Sequence, residues 1–355
     1  MLPVLFTLTI PAGWGLPIAV AVAVLVALAR AFALVRSAGG EGLSFPAALR
    51  ADGWFLALLA AAVAVAQWMG LLRGELRLPL HTYGLLLALA FLLGVILAQR
   101  EARRRGQRAE RIGTLAFWIL LAAIAGSMLF YVFLNLNEFT GARFWGDPPF
   151  QHVPRFLILW RVGLVFYGGF IGALLVSLAY LRRHGMPFLE HADTLIPSVA
   201  FGHFLGRLGC FAAGCCWGSL ADDRLPWATR FPPRSNVYQA FTSNPGYGAQ
   251  FLSPDRLTTA PLHPVQLYEA FGELAIFLAL VLLVRPRKHF HGQVLATWLL
   301  AYSVLRGILE RFRGDLARPT WAGLNSGQWT SVVILALGLL MWLAAPRPRP
   351  EPATV

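Results

Sequence analysis

The chain has 355 residues, 57% of them hydrophobic and 13% charged, with a mean hydropathy of +0.61. Soluble domains carry about 25% charged residues, so a soluble globular class is excluded. The formal net charge of +13 suggests a polyanion partner, but the basic residues, all arginine except Lys288, sit in short clusters between apolar runs, which argues against nucleic acid and for a membrane protein.

Length is therefore counted in membrane spans of about 20 apolar residues each. The opening residues lack a basic segment before the first apolar run, so no cleaved signal peptide is expected. Apolar runs bounded by charge or Gly/Pro predict nine spans, near 14–35, 53–72, 80–99, 113–134, 157–181, 194–213, 264–284, 292–309 and 327–345. The sixth has the weakest pattern: Pro197, His203 and Arg207 interrupt it, and it runs into a Gly/Cys-rich turn. The fold class is thus an all-α polytopic membrane protein.

Alternate loops separate by charge. One set holds Arg30, Arg36 and Arg50, the cluster from Arg100 to Arg111, the pair Arg182–Arg183, then Arg285, Arg287 and Lys288, and finally Arg347 and Arg349. Excess Lys/Arg in short loops marks the cytoplasmic side, which puts the N-terminus outside and the C-terminus inside. The longest hydrophilic stretch, 214–262, is rich in turn residues and is expected to form a small extracytoplasmic cap.

Three groups place costly chemistry in or beside these spans, where ionisable residues are functional candidates. The first runs from Gly206 through Arg207, Gly209, Cys210, Gly214, Cys215 and Cys216 to Gly218. Glycines at 202 and 206, and at 214 and 218, have the spacing that permits close approach, and Arg207 offers a guanidinium suited to phosphate. The plain alternative is tight packing with an arginine reaching the interface. The second group is His263-Pro264-Val265-Gln266-Leu267-Tyr268-Glu269, a set of donors, acceptors and a base at a helix start; a capped helix end is the alternative. The third contains Tyr302, Arg306, Glu310, Arg313 and Asp315. Tyr302 with Arg306, and Arg306 with Glu310, share a helical face, and a structural ion pair is the alternative.

These blocks, with Tyr83-Gly84, Tyr167-Gly168-Gly169-Phe170-Ile171-Gly172 and Ser326-Gly327-Gln328, resemble in order and separation the prolipoprotein diacylglyceryl transferase family. The resemblance covers about residues 80 to 345, seven spans, leaving residues 1–79 as a two-span N-terminal extension and 346–355 as a cytoplasmic tail. It implies transfer of a diacylglyceryl group from phosphatidylglycerol to the lipobox cysteine thiol of secreted lipoprotein precursors, at the bacterial inner membrane. Glycerol 1-phosphate would leave, with no metal or other cofactor. Arg207, Arg306, Glu310, Tyr167 and His263 become the catalytic candidates. Tyr83, Gly168, Gly169, Gly206, Gly209, Gly214 and Gly218 become candidates for substrate contact, together with Gln266, Tyr268, Glu269 and Arg313.

A phosphate ester leaving group calls for fixed positive charge where charge develops, and Arg207 and Arg306 supply it. A thiol with a pKa of about 8.5 needs a base or an electropositive field. The chain departs from the family at these points. Tyr167 stands where the family has a histidine, Cys210 and Ala213 replace two asparagines, Cys215 replaces a glutamate, and Met128 an arginine. His203 and His263 are the other base candidates. Two alternatives stay open: a non-catalytic lipid-binding relative, and a membrane protein with thiol or redox chemistry of its own at Cys210, Cys215 and Cys216.

Overall fold

The computed structural model describes residues 4–10, 16–26, 57, 60–61, 63–64, 76–138, 164–244, 246–314 and 320–345. The chain divides into two compact units, one of Met1–Leu5, His81–Ser127 and Val165–Val355, the other of Phe6–Leu80 and Met128–Leu164. The strands β1 (Val4–Ile10) and β2 (Leu76–His81) pair, and in the second unit a short apolar helix, α1, covers Leu16–Val26. Most of the two spans expected near 14–35 and 53–72 lies outside the described residues.

From Thr82 onward the order is α2 (Thr82–Arg104), α3 (Ala109–Leu134), α4 (Phe166–Arg183), α5 (Phe188–Ala213), α6 (Asn236–Ser243), α7 (Val265–Ala279), α8 (Gln293–Leu309) and α9 (Ser326–Leu343). The last turns of α7 widen and then tighten through Leu280–Val284 and Arg285–Arg287. A two-residue hairpin, β3 (Thr320–Trp321) with β4 (Leu324–Asn325), precedes α9. Its last residue, Asn325, forms a reciprocal capping box with Gln328, so α9 starts where two otherwise orphaned N–H groups are satisfied. Among the described residues five helices are long and apolar enough to cross a membrane: α2, α3, α5, α7 with its extension to Arg287, and α9. Leu92, Phe117, Leu175, Leu283 and Leu343 are among many large apolar side chains pointing outward, as expected where the surroundings are lipid.

The sixth span, expected near 194–213 with the weakest pattern, starts earlier than expected. It is one continuous helix, α5, which begins at Phe188 and runs through Pro197. Proline removes one backbone hydrogen bond, but Pro197 is buried against its neighbours and the helix carries on. Close packing fixes α5 against α2, with Tyr83 against Gly209 at one end and Gly94 facing the Ser198 carbonyl at the other. The α3–α4 contact uses glycine likewise: a side chain on Gly126, Gly169 or Gly172 would strike the backbone or Ser127 of the facing helix.

Asp193, fully buried on α5, secures the start of α8. Its carboxylate accepts from the Gly292 and Leu295 N–H groups at 2.7 and 3.0 Å and pairs with Lys288 at 2.7 Å. A carboxylate there satisfies helix-start donors and meets the positive end of the helix dipole. Nearby, Glu101 of α2 is paired with Arg105 and Arg285. The 214–262 stretch folds around its own small core of Phe231, Val237, Phe241 and Leu262, with Trp217, Tyr247 and Phe251 packed on it. Ser235 caps α6 by accepting from the Tyr238 N–H.

Candidate functional site

Three helices bring charge together inside the bundle. Arg207, on α5, donates through Nη2 to Glu269 Oε1 of α7 at 2.8 Å and through Nε to His203 Nε2 at 3.3 Å. His203 and Arg207 are one helical turn apart and therefore share a face. On its other side His203 Nδ1 lies 2.8 Å from Glu273 Oε1, and Trp298 Nε1 of α8 donates to the second oxygen of Glu273 at 3.4 Å. Glu269 and Glu273, also one turn apart, are both fully buried. Two carboxylates at such depth are tolerated because each has a cationic or N–H partner.

Tyr302 of α8 sits at the meeting point. Its ring stacks on Trp298 with centroids 5.4 Å apart, lies 5.4 Å from the His203 ring, and falls in the electrostatic reach of Glu269, Arg207, Arg306 and Glu273. One turn further, Arg306 pairs with Glu310 at 2.8 Å. The Glu310 carboxylate lies against Gly327 of α9, where an added Cβ would come within 2.8 Å of it. Arg306 Nη1, Glu269 Oε2 and Gln266 Oε1 are buried with no hydrogen-bond partner among the described residues. Buried donors and acceptors left open at one site are what an incoming polar ligand completes.

The loop beyond α5 closes over the start of α7. Gln266 Nε2 donates to the Cys215 carbonyl at 2.7 Å. Trp227 donates to the Tyr268 hydroxyl at 2.8 Å, and that hydroxyl is 3.2 Å from His263 Nδ1. Gly218 bridges to Arg313, and a Cβ on Gly218 or Gly314 would run into backbone, so these two glycines permit the close approach of the chain there.

Helix α5 ends at Gly214, left-handed at φ 68°, in a Schellman turn: Gly214 N–H reaches the Phe211 carbonyl and Cys215 N–H the Cys210 carbonyl. That reversal returns Cys215 and Cys216 to Cys210, and all three sulfurs lie within 4.8 Å of one another as free thiols. Hydrogen bonds from Cys210 and Cys215, aided by the Arg207 and Arg313 charges, hold the Cys216 thiol far below the usual thiol range. Accepting none of that help, and hydrogen-bonded to Cys210 and Cys216, Cys215 is pushed up.

Of the residues singled out from sequence, Arg207, Glu269 and Arg306 with Glu310 fall around Tyr302, and Gln266, His263 and Tyr268 lie on the adjoining start of α7. Tyr83 packs on Gly209. Gly214 ends α5, while Gly206 has open space around it. Gly168 and Gly169 line the α3–α4 contact, and Tyr167 is 53% exposed beside Phe166 with no side-chain hydrogen bond among the described residues. Glu273 and Trp298 were missed. Glu273 carries the signal already applied elsewhere, a carboxylate inside an apolar span one turn from another. A cavity of about 240 Å³ lies elsewhere, lined by Leu97, Glu101, Pro197, Phe277 and Arg285 among others.

Residues 71–344 match the family model described as prolipoprotein diacylglyceryl transferase. The chain is similar to the phosphatidylglycerol–prolipoprotein diacylglyceryl transferase of Erwinia tasmaniensis, 33% identical over 77% of this chain and 90% of that protein. It is also similar to the enzymes of that name from Thermosynechococcus vestitus, 31% identical over 74% of this chain and 87% of that protein, and from Escherichia coli, 31% identical over 77% and 91%.

Proposed function

Since the chain belongs to the prolipoprotein diacylglyceryl transferase family, we propose that it transfers the diacylglyceryl group of phosphatidylglycerol to the lipobox cysteine thiol of a secreted lipoprotein precursor. The thiol sulfur attacks the glyceryl carbon, the carbon–oxygen bond to phosphate breaks, a thioether forms and glycerol 1-phosphate leaves. The observation that carries this reading is the convergence of Arg207 and Arg306 on Tyr302, with Arg306 Nη1 buried and open to a further partner. Glu269 holds Arg207 and Glu310 holds Arg306, and the guanidinium N–H groups not so engaged serve the phosphate oxygens as negative charge grows.

The thiol proton goes to His203. Glu273 engages its Nδ1 and orients the ring as a carboxylate orients a catalytic imidazole, and Nε2, which accepts from Arg207 Nε at 3.3 Å, takes the proton as that N–H turns to the phosphate. His203 is the histidine in contact with Arg207, so base and phosphate clamp share one site. Gln266, Tyr268 and Glu269 line its approach, and Gly206 gives an acyl chain or the precursor backbone room beside Arg207.

This multi-pass membrane protein has nine spans in this reading, with the N-terminus outside, the 214–262 cap outside and the 346–355 tail in the cytoplasm. The charge asymmetry of the loops supports it, and reporter fusions at residues 40, 106, 240 and the C-terminus test it. For the activity, purified protein with labelled phosphatidylglycerol and a lipobox peptide should give labelled peptide. Complementation of a transferase-depleted bacterium should restore lipoprotein processing. Membrane-inserted protein that binds phosphatidylglycerol yet labels no peptide would establish the second reading, a lipid-binding relative without turnover, which the exposure of Tyr167 favours.

A further inference from the structure

We propose that Cys210, Cys215 and Cys216 form a three-thiolate site for a soft monovalent metal cation of the Cu(I) class. Three observations converge on it. The sulfurs cluster within 4.8 Å, and a planar three-coordinate centre with metal–sulfur bonds of about 2.3 Å needs sulfurs about 4 Å apart. The cluster is built by the backbone: the Schellman turn at Gly214 folds Cys215 back on Cys210, and Cys216 sits at φ 56°, a left-handed conformation that a non-glycine side chain rarely adopts. All three thiols are free and partly exposed, so a metal can reach them.

Ligand count and charge choose the metal class. Structural zinc takes four protein ligands, whereas the grouped ligands here are three sulfurs and nothing else among the described residues. Soft thiolate sets select Cu(I). Binding converts three thiols and one Cu(I) into a complex of charge −2 and releases the thiol protons not already lost. Arg207 and Arg313 both act on Cys216, and their positive charge offsets that −2. A divalent ion would leave less anionic charge for them to meet.

The test does not depend on transferase activity. Reduced protein in detergent, kept under nitrogen, is titrated with Cu(I) against a chromophoric Cu(I) chelator. One Cu(I) per chain should be withdrawn, and the same Cu(I) should block iodoacetamide labelling of all three cysteines in the unaltered chain. Cys216→Ser should weaken binding at least tenfold, and the variant with all three cysteines changed to serine should withdraw none. Failure of the unaltered chain to compete, equal withdrawal by the triple variant, or labelling that proceeds at full rate with Cu(I) present would each overturn the proposal. Tighter binding of Zn(II) than of Cu(I) would overturn the assignment of the metal class.

Discussion

Arg207 and Glu269 are joined at 2.8 Å across two helices, and the carboxylate of the pair has no exposure to solvent. Removing one partner strands the other charge in a medium that cannot solvate it, at a cost of about 3–5 kcal/mol. Arg207→Ala is therefore expected to lower the melting temperature in detergent and to abolish peptide labelling. Arg207→Lys keeps the charge but loses the forked donor geometry, so it should unfold close to the unaltered chain while losing about 10²–10³-fold in turnover. Full turnover in Arg207→Lys would remove the phosphate-clamp role.

The base assignment separates two side chains. His203→Gln should lower turnover by about 10²–10⁴-fold. Tyr167→Phe, altering an exposed side chain whose hydroxyl has no hydrogen bond among the described residues, should stay within about twofold. If the two results came out reversed, Tyr167 would be the base and His203 a support for Arg207.

Asp193 tests an anchor away from the chemistry. Asp193→Ala frees the Gly292 and Leu295 N–H groups and leaves Lys288 without its buried partner. A stability loss of about 1–3 kcal/mol is expected, with faster amide exchange at residues 292–295. Unchanged exchange there would mean that α8 is started by its tertiary packing alone.

Two glycines with opposite surroundings should behave oppositely. Gly314→Ala drives a methyl into the Gly218 backbone and is expected to yield little folded protein. Gly206→Ala meets nothing within 4 Å, so stability should hold or rise by a few tenths of a kcal/mol, alanine being the better helix residue. Any fall in activity of Gly206→Ala then measures how closely substrate passes Arg207.

Alkylation kinetics test the uneven thiol cluster. A thiol of pKa about 8.5 slows roughly tenfold for each pH unit below that value. Cys216, stabilised as thiolate by hydrogen bonds from Cys210 and Cys215 and then by Arg207 and Arg313, should react with iodoacetamide at nearly the same rate from pH 6 to 8. Cys215, pushed the other way, should remain slow throughout. Peptide mass spectrometry resolves the two positions, and parallel pH dependence would show that the thiols do not differ.

Helix positions from Thr82 onward were legible because apolar runs and charge clusters mark helix ends, and the blocks around Arg207, Glu269 and Arg306 stood out as charge where charge is costly. Pro197, His203 and Arg207 made α5 the weakest of the expected spans, since local propensity says nothing of the neighbours that hold a helix together through a missing hydrogen bond. Gly168 and Gly169 serve the α3–α4 contact, which spacing did not reveal because it cannot tell which surface a glycine lets approach. Glu273 and its tie to His203 depend on two helices 70 residues apart coming into register, and no local pattern encodes that. The thiol cluster was visible as spacing only; the left-handed turn that gathers it was not.

The unbroken course of α5 fixes a distance. Asp193 and Arg207 are fourteen positions apart on one helix, which at 1.5 Å per residue separates the α8 anchor from the phosphate clamp by about 21 Å, against a hydrocarbon layer of about 30 Å. On the proposed role of Arg207 the helix is a depth gauge, setting how far into the bilayer a lipid phosphate must descend to be gripped. One residue inserted between those positions would turn Arg207 by about 100° away from Glu269 and shift that level by about 1.5 Å. On that proposal the length of this helix, together with the side chains it carries, sets which headgroup is reached.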